Sequence, residues 1–263
     1  MAPPPNDANA HRSGGRAAAY GALFRPKEVA RRVSIAWGIF LDHQFERAST
    51  IPALAPHILE RIGDHEVTLP PPRLLGAAGN QPVEGLLFLA SLGRALGAAR
   101  VFEIGTFNGL TAWCLARNLP GATIDTLDLP VDQQPALPLA ERDPLNRSAQ
   151  PERLYESLPS PGRVVQHWGD SATFDFSPWH RGCDLVYVDG AHSADYVSSD
   201  SHNAFEMIAE SGAIVWDDYW RHEPGVRSVL EKQAGRDLHR VPGTRLVVYL
   251  SEPARRRLTT TTA

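Results

Sequence analysis

The chain has 263 residues, enough for one α/β domain with an extension and a full hydrophobic core. With 26 Lys and Arg against 30 Asp and Glu its formal charge is −4, and no long basic run offers a nucleic-acid surface. The two cysteines, Cys114 and Cys183, imply no disulfide framework, and no stretch approaches the roughly 18 apolar residues of a membrane span or the apolar core of a signal peptide. The expectation is a soluble, cytoplasmic protein with neither a nucleic-acid nor a membrane partner.

Residues 1–20 mix Pro, Gly, Ala and polar residues without a period and are expected to form a disordered N-terminal tail. Residues 21–79 are expected to be a helical N-terminal extension. There Val29, Val33, Trp37, Phe40 and Leu41 share one helical face, and Leu54, Ile58, Leu59 and Ile62 suggest a second helix after Pro52. Such an extension can act as a lid, form a homodimer or pack on a sheet edge. The prolines of Leu69–Arg73 make a stiff connector, and Pro82–Leu96 reads as a helix feeding the first strand.

That strand runs into Val101-Phe-Glu-Ile-Gly-Thr-Phe-Asn-Gly109. Val101, Phe102 and Ile104 suit a buried strand, Gly105 and Gly109 allow backbone angles and approaches that a Cβ blocks, and Leu110, Trp113, Cys114 and Leu115 begin a helical period. A dinucleotide site wants G-x-G-x-x-G to rest a pyrophosphate on the helix N-terminus. The pattern here is E-x-G-x-x-x-G, with Phe107 in place of a middle glycine. The Glu103 carboxylate would repel a phosphate and attract an ammonium.

These residues resemble motif I of the class I S-adenosylmethionine-dependent methyltransferases, in particular the catechol O-methyltransferase-like and related small-molecule branches. The resemblance implies S-adenosylmethionine as cofactor, with Glu103, Gly105, Thr106, Phe107 and Gly109 around it. Ala122–Asp128 reads as the second strand, and an acid at its end can accept both ribose hydroxyls, the role the resemblance gives Asp128. Residues 130–150, rich in Pro and charge, form a long loop near the ligand mouth. A short helix over 151–158 and a strand over Arg163–His167 lead to Gly169-Asp170-Ser171, where the resemblance implies adenine contacts from Asp170 and Ser171.

Leu185–Val188 is an apolar run typical of a central parallel strand; it ends at Asp189-Gly190, with His192 just before a helix from about Ser193 to Glu210. The next strand, Gly212–Trp216, ends in Asp217-Asp218. Clustered carboxylates raise one another's pKa, and a divalent cation with oxygen ligands such as Mg²⁺ removes the conflict. Metal-dependent catechol- and macrocin-type O-methyltransferases carry acids at these places, so the resemblance implies Asp189, Asp217 and Asp218 as metal ligands. It departs at the base: catechol-type enzymes have a Lys after the first acid, whereas the only lysines here are Lys27 and Lys232. His192 is the candidate in its place, with Asp189 as the other catalytic residue. An unperturbed His, near pKa 6.5, lies about three to four units below a phenol but roughly nine below a water-like hydroxyl, so a sugar alcohol would need the cation. His167, His180 and His202 read as structural, and His222 as a pocket residue.

Asp237–Val241 and Thr244–Leu250, joined by Pro242-Gly243, must form a hairpin. The fold expected is a Rossmann-like class I methyltransferase, α/β, with a mostly parallel seven-stranded sheet and a C-terminal antiparallel hairpin. Its domain is set at residues 80–252, and 253–263, with Arg255–Arg257, is a solvated C-terminal tail. The function expected is O-methylation of a small-molecule hydroxyl, on a sugar or phenolic natural-product intermediate, with Mg²⁺. The alternatives are a metal-independent N- or O-methyltransferase with His192 or Asp189 as base, an NAD-binding dehydrogenase, disfavoured by the glycine pattern and the hairpin, and a non-catalytic ligand-binding or interaction module.

Overall fold

The protein is described from a computed structural model covering residues 48–75, 79–144, 153–158 and 162–260. The expected N-terminal tail, the first helix of the extension with its dimer role, residues 145–150 of the long loop and the first two residues of the expected helix over 151–158 lie outside these residues.

The strands are β1 (Arg100–Ile104), β2 (Thr123–Asp128), β3 (Arg163–Trp168), β4 (Cys183–Val188), β5 (Ile208–Trp216), β6 (Leu238–Arg240) and β7 (Val247–Leu250). They form one sheet in the order β3-β2-β1-β4-β5-β7-β6. β1 to β5 pair in parallel, while β7 runs antiparallel to both β5 and β6. The expected hairpin closure of a mostly parallel seven-stranded sheet is present. After β3 the chain crosses back past β1 to lay down β4, and this reversal opens a crevice at the carboxyl ends of β1 and β4.

Alternation along the central strands supplies two buried faces, as a sheet covered on both sides requires. Val101, Leu185, Tyr187, Ala213, Val215 and Val248 point to one face. On it lie α1 (Pro56–Gly63), α2 (Val83–Leu96) and α3 (Leu110–Asn118), through residues such as Ile58, Ile62, Leu89, Leu92 and Leu115. Phe102, Ile104, Val186, Val188, Ile214 and Trp216 point to the other, against Val197, Ala204 and Met207 of a helix over Ala194–Met207 and Val226, Val229 and Leu230 of one over Pro224–Lys232. A four-residue helix, Leu154–Ser157, precedes β3 and is α4, so these two are α5 and α6. Ser193 caps α5 by accepting from the Tyr196 N–H, and Asp195 in the first turn favours the positive end of the helix dipole.

The second helix of the extension belongs to the sheet's own core. Before α1, Leu54 donates its N–H to the Arg240 carbonyl and Arg240 donates to the Pro52 carbonyl, so this segment covers the exposed edge of β6. The C-terminal segment differs from the expected solvated tail. Glu252–Thr259 forms a helix, α7, capped by Ser251, with Ala254 and Leu258 buried on the core of the α1 face. Those two apolar positions, four apart, share one helical face, and the three arginines between them lie off it. Among the described residues no helix is long and apolar enough to cross a membrane.

Candidate functional site

Parallel pairing aligns the carboxyl ends of four strands. The N–H of Gly105 reaches the Leu127 carbonyl at 2.8 Å, that of Asp189 the Ile104 carbonyl at 2.8 Å, and that of Asp217 the Val188 carbonyl at 3.0 Å. A cleft of about 440 Å³ opens there. Gly105, Phe107, Asp128, Asp170, Ser171, Asp189, His192, Asp217 and Asp218 all line it, so most of the expected site residues come together. The remaining three, Glu103, Thr106 and Gly109, do not line it.

The glycine turn explains part of that division. A Cβ on Gly105, at φ +99°, would fall 1.9 Å from the Asp189 carbonyl oxygen, so only glycine lets β1 and β4 end side by side. Phe107 adopts φ 48°, the left-handed geometry that a middle glycine would have supplied. Gly109, at φ +75°, stands against the Tyr155 ring and starts α3. Its requirement is packing behind the cleft.

Glu103 points to the α1 face of β1 and is buried. Thr126 Oγ1 donates to its Oε2 at 2.5 Å, and Thr106 and Gln166 continue the chain of hydrogen bonds. Burial pushes the Glu103 carboxyl up to about 8. This carboxylate, expected to attract a ligand ammonium, sits in a buried network beneath the turn and does not itself line the cleft. Asp128 does face the cleft, and its Oδ2 holds the Arg153 guanidinium at 2.7 Å. Asp170 is also engaged: its Oδ2 accepts from the Ala136 N–H at 2.6 Å and the Tyr196 hydroxyl at 2.9 Å, tying the 130–144 stretch across the opening.

At the other acids, Asp217 and Asp218 diverge. Strand alternation puts Asp217 on the Tyr187 face, where its Oδ2 accepts from Gln81 Nε2 at 2.8 Å and lies 3.2 Å from the Tyr187 hydroxyl. Asp218, at φ 56°, turns the chain out of the strand and meets His192. The carboxylates that come within 4.8 Å of one another with an imidazole are Asp189 and Asp218, with His192 as the third member; the expected Asp217 is not in the group.

His192 lies between two carboxylates. Its Nδ1 is 2.5 Å from Asp143 Oδ1 and its Nε2 is 2.8 Å from Asp218 Oδ2, the second contact being out of line for a hydrogen bond. Burial by itself would depress the imidazolium, but Asp143 and Asp218 outweigh it and raise the pKa to about 11. Arg245 Nη1 is 2.9 Å from Asp218 Oδ1, and the two cations hold that carboxyl below the usual range despite its burial. Asp189 shifts the opposite way: burial first, then the charges of Asp217 and Asp218, push it well above an ordinary carboxylate, while the Tyr187 hydroxyl donates to its Oδ2 at 2.9 Å.

Five participants were not among the expected site residues: Gln81, Asp143, Arg153, Tyr187 and Arg245. Tyr187 was within reach of the sequence, since it precedes Asp189 by two on one strand and must share its face. Asp143, 49 residues from His192, left no local signal. Of the histidines, the half-buried His167 pairs with Asp125 at 2.8 Å, and His222 packs edge-on against Trp220 beside the cleft.

Residues 102–219 match a family model described as a methyltransferase domain. Among solved structures, the methyltransferase PaMTH1 of Podospora anserina, bound to S-adenosylhomocysteine, is 18% identical over 86% of this chain and 96% of its own, with a TM-score of 0.47. TomG of Streptomyces achromogenes, an O-methyltransferase involved in tomaymycin synthesis and complexed with S-adenosylmethionine, is 20% identical over 87% and 100% of the two chains, also at 0.47. An O-methyltransferase of Bacillus cereus with S-adenosylhomocysteine is 17% identical over 80% and 96%, at 0.44. No curated protein matches the sequence. The matched residues begin within β1 and end just past β5, taking in every strand end that bears the cleft, and over them the chain is similar to a methyltransferase domain.

Proposed function

We propose that the protein moves the methyl group of S-adenosylmethionine to a hydroxyl of a small molecule, phenolic or sugar-like. The observation that carries this reading is the gathering of Asp189, His192 and Asp218 in the same cleft as Gly105, Asp128 and Asp170. Methyl transfer from a sulfonium is an in-line displacement, so the nucleophile must be held at the methyl and relieved of its proton. Asp128 and the backbone of the Gly105 turn supply the cofactor end. At the acceptor end, Asp189 is the base: its desolvated carboxyl takes a proton more readily than an ordinary carboxylate, and the Tyr187 hydroxyl fixes its orientation.

The residues fit a divalent cation, with two carboxylates and an imidazole as donors. An imidazole in the set suits a transition ion such as Mn²⁺ better than Mg²⁺, which prefers oxygen alone. Bound there, the cation would lower the pKa of an acceptor hydroxyl. A second reading, metal-independent transfer, is favoured by Arg245 and the His192 imidazolium, which already offset the carboxylate charge.

The test is a calorimetric titration of S-adenosylhomocysteine into the purified protein, followed by methyl transfer from labelled cofactor to phenols and sugar alcohols, with Mn²⁺, with Mg²⁺ and with a chelator. Micromolar cofactor binding and transfer to a hydroxyl support the proposal, and transfer unchanged by the chelator selects the metal-independent reading. Absence of cofactor binding overturns both.

A further inference from the structure

We propose that Asp143 is a positioning residue: it holds the His192 ring so that Nε2 is presented as a ligand to a divalent transition-metal ion, a place that strand-end position alone would have given to Asp217. This rests on the methyltransferase reading of the cleft. Asp143 is 7% exposed and lies on the stretch between β2 and α4. Its carboxylate receives the His192 ring at Nδ1, 2.5 Å away, the His192 backbone N–H at 3.2 Å, and the Ala140 N–H at 2.8 Å. Ring and backbone of one residue are thereby gripped by one carboxylate, which is itself fixed by its own loop.

The consequence is chemical. A carboxylate at Nδ1 selects the tautomer with the proton there, so Nε2 of the neutral ring carries a lone pair. That lone pair faces Asp218 Oδ2 at 2.8 Å, with no hydrogen-bond alignment between them, and Asp189 completes the group. At this distance the two atoms need a cation between them, either the proton of an imidazolium or a metal ion. A metal-bound histidine commonly donates its second N–H to a carboxylate in this way, which orients the ring and increases its basicity as a ligand. Asp217 gives its Oδ2 to Gln81, and although its buried Oδ1 has no hydrogen-bond partner, it lies outside the group formed by Asp189, His192 and Asp218. The same loop bonds to Asp170 through Ala136, so the residue that orients the metal ligand arrives on a segment also tied to the cofactor end.

The experiment titrates Mn²⁺ alone, and separately S-adenosylhomocysteine alone, into the full chain and its variants. Asp143→Ala is expected to weaken Mn²⁺ binding by about 10–100-fold, with cofactor affinity kept within about threefold and partial recovery of the metal in Asp143→Glu. His192→Ala is expected to lose Mn²⁺, and Asp217→Asn to keep it. Wild-type Mn²⁺ affinity in Asp143→Ala overturns the proposal, as does loss of metal in Asp217→Asn with retention in His192→Ala. An equal fall in cofactor and metal affinity for Asp143→Ala overturns it too, since that marks a general structural role. If the wild type binds S-adenosylhomocysteine but no Mn²⁺, a proton fills the place between His192 and Asp218 and this inference fails while the methyltransferase reading stands. If it binds Mn²⁺ but no S-adenosylhomocysteine, the methyltransferase reading fails instead.

Discussion

The Tyr187 hydroxyl lies 2.9 Å from Asp189 Oδ2 and 3.2 Å from Asp217 Oδ2, so a single buried phenol joins the ends of β4 and β5. It also accepts from Gln81 Nε2 at 2.7 Å. Tyr187→Phe removes the one hydroxyl proton that serves two buried carboxylates: Asp189 Oδ2 loses its donor, while Asp217 and Gln81 keep each other at 2.8 Å. The expected loss of stability is about 1–3 kcal/mol, read by urea unfolding of variant and parent. An unchanged midpoint would show that the hydroxyl is dispensable.

Asp189→Ala removes the proposed base without touching the turn at Gly105. Turnover is expected to disappear while the affinity for S-adenosylhomocysteine stays within a few-fold. The measurement pairs a labelled methyl-transfer assay with calorimetry, and full turnover in the variant would remove Asp189 from the mechanism.

Asp128→Ala should do the reverse. The loss of a charged acceptor for the ribose hydroxyls is expected to weaken the cofactor by about 1.5–3 kcal/mol. Because Asp128 also holds Arg153 at 2.7 Å, thermal unfolding of the variant without ligand is the necessary control. Cofactor affinity equal to that of the parent would show that the ribose is held elsewhere.

Glu103 gives a prediction in pH. Burial raises its carboxyl in the folded protein to about 8, above the ordinary 4.5. The folded state therefore binds this proton more tightly than the unfolded chain does, so the associated stability is complete below about pH 4.5 and is lost as pH rises through about 8. Glu103→Gln cannot ionise and keeps an acceptor for Thr126. Its stability should fall less steeply than the parent's between pH 5 and pH 9, measured by urea unfolding; parallel curves would refute the buried-acid account.

Gly105→Ala tests the closest approach in the fold. The added methyl would stand 1.9 Å from the Asp189 carbonyl oxygen, at a φ of +99°. The ends of β1 and β4 must part, and a destabilisation of roughly 3 kcal/mol or more is expected from strain and clash together. Retained cofactor binding with parental stability would mean that the two strand ends are not in this register.

What the sequence determined by itself was local. Apolar runs ending in Gly105, Asp128 and Asp189 marked strands whose carboxyl ends carry the site, because a central parallel strand must be apolar on both faces and a glycine there needs a backbone reason. The short Pro242-Gly243 link allowed only an antiparallel return. Tertiary structure decided where the side chains went. Asp217 and Asp218 are neighbours in sequence, yet one bonds to Gln81 and the other meets His192, since alternation and a left-handed residue send them to different partners. Glu103 looked like a ligand contact and became the buried end of a hydrogen-bond chain, because β1 directs it to the face covered by helices. The run Arg255–Arg257 looked like a solvated tail, but Ala254 and Leu258, one helical turn apart, found a core to bury in. Asp143 bears on His192 across 49 residues of chain, a contact that exists only because loop and strand end are folded onto one cleft.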